Sequence, residues 1–108
     1  MRTALPDHVR AFVDHAPFPV GRIGAGIKYL RLAEGALEAA FWLTGRECLW
    51  DTCAAEVVVR EAGGAVTDID GAPLGYDPAT PRHARGVVAT SGARHDELLA
   101  LARPWFRP

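Results

Sequence analysis

WDTCAAEVVVREAGG, residues 50–64, sets the reading of the whole chain. An aspartate, Asp51, stands before an apolar run, and two glycines close it. This is a helix with both ends written in. A carboxylate there accepts hydrogen bonds from the first unpaired N–H groups and complements the positive end of the helix dipole. Gly63 and Gly64 supply the stop. Capping alone accounts for Asp51, so the question is whether it also holds something.

Upstream, ALEAAFWL (36–43) reads as a strand, apolar on both faces as in the middle of a sheet, and TGREC (44–48) as the loop into the helix. Downstream, AVTDI (65–69) reads as a strand and DGAPL (70–74) as a turn. RGVVATS (85–91) is a further strand, and ARHDELLALA (93–102) a closing helix that packs through Leu98, Leu99 and Leu101. The tail RPWFRP is expected at the edge. Towards the N-terminus, PDHVRAFVDHA (6–16) has Val9, Phe12 and Val13 on one helical face, with Pro6 tolerated at its start. FPVGRI (18–23) reads as a short strand. GAGIKYLRLAEG (24–35) reads as a helix buried on more than one side and stopped by Gly35. Helices and strands alternate, so the fold class is α/β, helices layered on one sheet.

The chain has 108 residues, room for one domain. Charged residues are 23% of it and the net charge is -1, so no charge excess advertises nucleic acid or an anionic membrane. No apolar run approaches the roughly 20 residues of a membrane span. The N-terminus MRTALPDHVR lacks a signal peptide's apolar stretch, which predicts a cytoplasmic protein. Cys48 and Cys53 lack the spacing and histidine partners of a zinc site and are expected to be reduced thiols.

Three other segments carry candidate chemistry. GRIGAGIK (21–28) places three glycines between a strand and a helix. Such a turn exposes N–H groups that suit phosphate, with Lys28 as an added charge, or it is simply a tight turn. DIDG (68–71) offers two carboxylates, yet Asp-Gly between β-rich segments is first a hairpin turn. His8, His15, His83 and His95 all sit in polar surroundings and are expected at the surface. Trp42 and Trp50 are expected to pack.

WDTCAAEVVVREAGG followed by AVTDIDGAPLGYD resembles the second signature of the inositol monophosphatase superfamily. Trp-Asp-Thr-Cys-Ala is most similar to its 3'(2'),5'-bisphosphate nucleotidase branch. GAGIK, LRLAEG and GVVATSG match that branch in order and spacing, and the resemblance runs from about Arg2 to Leu101. It implies the C-terminal half of the sugar-phosphatase fold, layered helix/sheet/helix. It implies a magnesium-dependent phosphomonoesterase acting on a small phosphorylated substrate, a nucleotide bisphosphate or an inositol phosphate. By that resemblance Asp51 is a magnesium ligand, Trp50 packs behind it, and Thr52 sits close to the metal. Gly24, Ala25, Gly26 and Lys28 border the substrate's phosphate and sugar. The family's Ser-Arg-Ser-His segment is reduced here to Arg2-Thr3-Ala4-Leu5.

The family's other ligands come from a Glu-Glu segment and an Asp-Pro-Ile-Asp-Gly-Thr motif, which this sequence lacks. The chain is therefore expected to be a single domain, 1–108, without the N-terminal metal-binding half. Magnesium needs near-octahedral oxygens. One aspartate cannot supply them, so the chain alone is expected to be weak or inactive. The expected partner is the missing half or a second copy. The alternative is a non-catalytic domain that binds a phosphorylated ligand or self-associates.

Overall fold

The computed structural model describes residues 5–20 and 32–108. The N-terminal helix is α1, Asp7–His15. Then follow β1, Ala39–Trp42; α2, Leu49–Glu61; β2, Ala65–Thr67; β3, Val87–Thr90; and α3, His95–Ala102, which runs into a single 3₁₀ turn, Arg103–Trp105. Residues 24–31 of the helix expected over 24–35 lie outside the described residues, as do Gly21, Arg22 and Ile23 of the expected first strand. The described part of that strand, Phe18 to Val20, is not in a strand.

The strands form one sheet in the order β1-β3-β2, and both pairings are antiparallel. Ala89 faces Ala40 on one side and Val66 on the other, which fixes the register. Among the described strands the middle one is therefore β3, and the segment 36–43 lies at an edge of these three rather than in their centre. Burial explains the reversal. All four residues of β3 are buried, as both faces of a central strand require, whereas only Ala40 of β1 is.

Alternation along the strands builds a core on each face. Val88 and Phe41 join Phe12, Leu43, Ile69, Leu99, Ala102 and Phe106 on the side of α1 and α3. Val87, Ala89, Val66 and Trp42 join Leu32, Val59 and Leu74 on the side of α2. The layers are thus helices, sheet and helix, as the resemblance implies.

The tail is not at the edge. Phe106 is only 6% exposed and Trp105 packs on the same core. The Arg107 N–H donates to the Leu43 carbonyl, closing the tail over the sheet. Two aromatic residues in four were the signal for this, since burying each removes ~150–250 Å² from water.

The glycine pair ends α2 as its spacing predicts. The Gly63 N–H donates to the Arg60 carbonyl and the Gly64 N–H to the Val59 carbonyl, both at 2.9 Å. Gly63 has φ +90°, where a side chain is strained. Asp68 then builds the turn. Its Oδ1 accepts from the N–H groups of Asp70 and Ala72, so this carboxylate is occupied in shaping the chain. The turn opens a long connection, residues 68–86, between β2 and its antiparallel neighbour β3, rather than a tight hairpin.

Candidate active site

Asp51 occupies the third position of α2, not the cap itself. Cys48 is the cap, with extended backbone, and its N–H donates to Asp51 Oδ2 at 3.2 Å. A side chain at this position reaches back to an unpaired N–H, as in a capping box. Capping and ligation are compatible, because a carboxylate has about four lone-pair sites and Asp51 stays exposed.

Thr52 is adjacent in sequence, yet its side chain is turned inward. It is fully buried, and its hydroxyl donates to the Leu49 carbonyl at 3.2 Å. Its lone pairs then face His83 Nε2 at 2.6 Å and the Tyr76 hydroxyl at 3.1 Å. That pairing selects the Nε2–H tautomer of His83. The Tyr76 hydroxyl is also 2.6 Å from Glu56 Oε1, and the Arg60 guanidinium donates to Glu56 Oε2 at 2.7 Å. Five side chains thus form one connected polar network that runs along α2 from Thr52 to Arg60.

The neutral members Thr52 and His83 are buried, and the charged pair Glu56–Arg60 extends the network to β2, where the Arg60 guanidinium also donates to the Val66 carbonyl at 2.7 Å. Burial holds His83 below the usual histidine value, while the negative charges of Glu56 and Asp51 oppose that shift. Burial and the Glu56 carboxylate push the Tyr76 hydroxyl up to about 12, so it remains a donor.

His83 is not a surface residue, and neither is His95: they are 6% and 8% exposed. Their hydroxyl partners lie 31 and 28 residues away for Thr52 and Thr67, so no local pattern marks them as buried. His8 and His15 stay nearer solvent, His8 Nε2 sharing a hydrogen bond with the Leu43 carbonyl. Trp42 packs as expected, but Trp50 is 72% exposed and cannot anchor Asp51 from behind. Along α2 the inward positions are Thr52 and Val59, which leaves Trp50, Val57 and Val58 on the solvent side. Cys48 and Cys53 are both free thiols. Gly24, Ala25, Gly26 and Lys28 lie outside the described residues.

A divalent cation is tested by the donor set. Asp51 offers the hard oxygen that magnesium prefers. Among the described residues no three His, Cys, Asp or Glu side chains cluster closely enough to hold a metal ion. Among those residues Asp51 is a single hard oxygen donor, not a complete coordination shell.

The model for the inositol monophosphatase family matches residues 3–104. The chain belongs to the inositol monophosphatase family. It is 37% identical over 81 residues to 3'(2'),5'-bisphosphate nucleotidase 1 of Rattus norvegicus, an alignment covering 75% of this chain and 26% of that protein. It is 41% identical over 76 residues to histidinol-phosphatase of Mycobacterium tuberculosis, covering 70% and 26%. Its fold superposes on the structure of inositol monophosphatase from Anabaena (Nostoc) with a TM-score of 0.70 and 30% identity, covering 91% of this chain and 38% of that one. The chain therefore spans about a quarter of those two relatives' sequences. Among the described residues no helix is long and apolar enough to cross a membrane.

Proposed function

We propose that this chain is the C-terminal part of a magnesium-dependent phosphomonoesterase of the 3'(2'),5'-bisphosphate nucleotidase type. The observation that carries this reading is Asp51: an exposed carboxylate, aimed by the Cys48 N–H, at the N-terminal end of a helix within the family's Trp-Asp signature. Magnesium, when bound, would neutralise phosphate charge and activate water. Asp51 would contribute one oxygen to that ion. Gly24, Ala25, Gly26 and Lys28 would border the phosphate and sugar, as the resemblance implies. The positive end of α2 favours negative charge at the same place.

The substrate proposed is adenosine 3',5'-bisphosphate, yielding AMP and phosphate, with an inositol phosphate as the alternative. The relative named histidinol-phosphatase adds a third phosphomonoester to compare. The rest of the metal site would come from an N-terminal portion or from a second copy. Trp50, Val57 and Val58 support that assignment, since they lie exposed on the helix that carries Asp51. Exposed apolar groups placed together mark a surface that another protein element covers.

The test is phosphate release, with magnesium, from each of the three phosphomonoesters. The 108-residue chain is compared with the same chain joined behind the N-terminal portion of the rat relative, each beside Asp51→Asn. The chain alone is expected to release no more than its Asp51→Asn control. The joined protein is expected to turn over and to lose activity with Asp51→Asn. Turnover of the joined protein that survives Asp51→Asn would overturn the role of Asp51. Turnover by the chain alone, abolished by Asp51→Asn, would overturn the view that the site is incomplete.

A further inference from the structure

The backbone around Asp51 is held from a part of the chain some thirty residues away. The Leu49 N–H donates to the Pro81 carbonyl at 3.0 Å, and the His83 N–H donates to the Glu47 carbonyl at 2.7 Å. Cys48 and Arg82 form an isolated antiparallel bridge between the same two segments. These contacts fix the loop before α2. They also hold the backbone of Leu49, the first residue of α2, while the side chains of the first turn are seated separately.

A side-chain contact seats Thr52. The His83 imidazole meets Thr52 Oγ1 at 2.6 Å, and both side chains are buried. Thr52 and Asp51 are consecutive in the helix, so their side chains leave it at a fixed angle of about 100°, Thr52 buried and Asp51 exposed. Pinning Thr52 inward therefore holds the Asp51 side chain outward. The Tyr76 ring meets the His83 ring edge to face at 5.5 Å between centroids, which limits the imidazole's own rotation.

We infer that His83 is a positioning residue for Asp51, acting through Thr52; the inference rests on the reading of Asp51 as a metal ligand. Partners in the layer behind a ligand are worth roughly ten- to a hundredfold in metal affinity. His83 touches neither substrate nor metal on this assignment. It aims the residue that does.

The test uses the 108-residue chain, labelled with ¹⁵N. One readout is the broadening of amide signals around Asp51 on titration with Mn²⁺, used as the probe for a hard divalent cation. The second readout needs no metal: hydrogen exchange of the Cys48 amide, which is protected only while Asp51 Oδ2 accepts from it. His83→Gln places an N–H near the position of Nε2, whereas His83→Asn is too short to reach Thr52. His83→Asn is expected to weaken Mn²⁺ binding at Asp51 roughly tenfold and to speed Cys48 exchange, with exchange in β3 unchanged as the check on folding. His83→Gln is expected to retain both wild-type properties. Wild-type Cys48 exchange in His83→Asn overturns the inference, and so does a His83→Gln variant that behaves like His83→Asn. Should Mn²⁺ leave the Asp51 signals of the wild-type chain unchanged, Cys48 exchange alone decides whether His83 positions Asp51, and the metal reading is decided by the joined protein and its Asp51→Asn variant.

Discussion

His95 Nδ1 lies 2.8 Å from Thr90 Oγ1, tying the first residue of α3 to the end of the central strand β3. The second ring nitrogen, Nε2, lies 2.7 Å from Thr67 Oγ1 on β2. The donors can be assigned from the remaining bonds. The Thr67 hydroxyl donates to the Asp68 carbonyl, so it accepts from Nε2–H. Nδ1 is then the acceptor, and Thr90 donates to it while accepting from the Gly92 N–H. Neutral imidazole satisfies every group. Imidazolium would put two protons against the Thr90 hydroxyl.

Stability is expected to fall as acid tries to place that second proton. Burial holds His95 below its ordinary value; the Asp96 carboxylate opposes that shift and the Arg60 charge adds to it. The unfolded chain therefore takes up the proton first. The stabilisation is fully present above the unfolded value of about 6.5 and is lost as pH falls from there towards the lower folded value. Thermal unfolding followed by circular dichroism between pH 8 and pH 5 should show the wild-type midpoint dropping on the acid side. His95→Gln should flatten that slope, and His95→Ala at pH 7 should cost about 1–3 kcal/mol, because it strands buried hydroxyl groups. An acid slope unchanged by His95→Gln would remove His95 as its source.

Among the described residues Ile69 is the largest side chain with no exposure, packed in the core cluster that includes Leu99 of α3. Ile69→Ala is expected to cost about 2–5 kcal/mol, the range for deleting a buried aliphatic group whose surroundings cannot collapse. Urea unfolding gives the value directly. The midpoint should move with the slope unchanged.

Gly64→Ala should be costly for a reason unrelated to conformational freedom. A methyl group there would lie 2.6 Å from the Thr90 carbonyl oxygen and 2.6 Å from Val59 Cγ1. The end of α2 must therefore move away from β3, or the variant unfolds. Gly63→Ala tests the other half of the pair. Space is open around it, so its cost comes from the positive φ alone, about 1–2 kcal/mol. The order of stability expected in denaturant is wild type, then Gly63→Ala, then Gly64→Ala.

These sites show which parts of the fold the sequence makes legible. The three helices announce themselves because their signals are local: an apolar face, a carboxylate near the start, glycines at the end. Asp51 and its helix were readable for that reason. Strand order was not, since β1 and β3 are both short apolar runs and only their neighbours decide which is central. His83 and His95 look like solvated residues in PRHAR and GARHD. Their burial depends on hydroxyl groups brought in from other elements. Trp50 misled in the opposite direction: an apolar ring beside a helix start suggests packing, but helical rotation places it opposite Thr52 and Val59.

That rotation yields the last expectation. A buried tryptophan cut to alanine costs about 3–5 kcal/mol. Trp50 is 72% exposed, so Trp50→Ala should change the stability of this chain by no more than about 0.5 kcal/mol. The same change should matter wherever α2 meets another element, because an exposed tryptophan is worth most when a partner desolvates it. Intrinsic fluorescence can follow this without a label, provided that Trp42 and Trp105 are first replaced by phenylalanine. In the 108-residue chain the Trp50 emission should be that of a water-exposed indole. Joined behind the N-terminal portion of the rat relative, it should shift to shorter wavelength. Trp50→Ala should then lower the stability of the joined protein while sparing the chain alone. An emission maximum identical in both proteins would show that α2 is not the surface the rest of the enzyme covers.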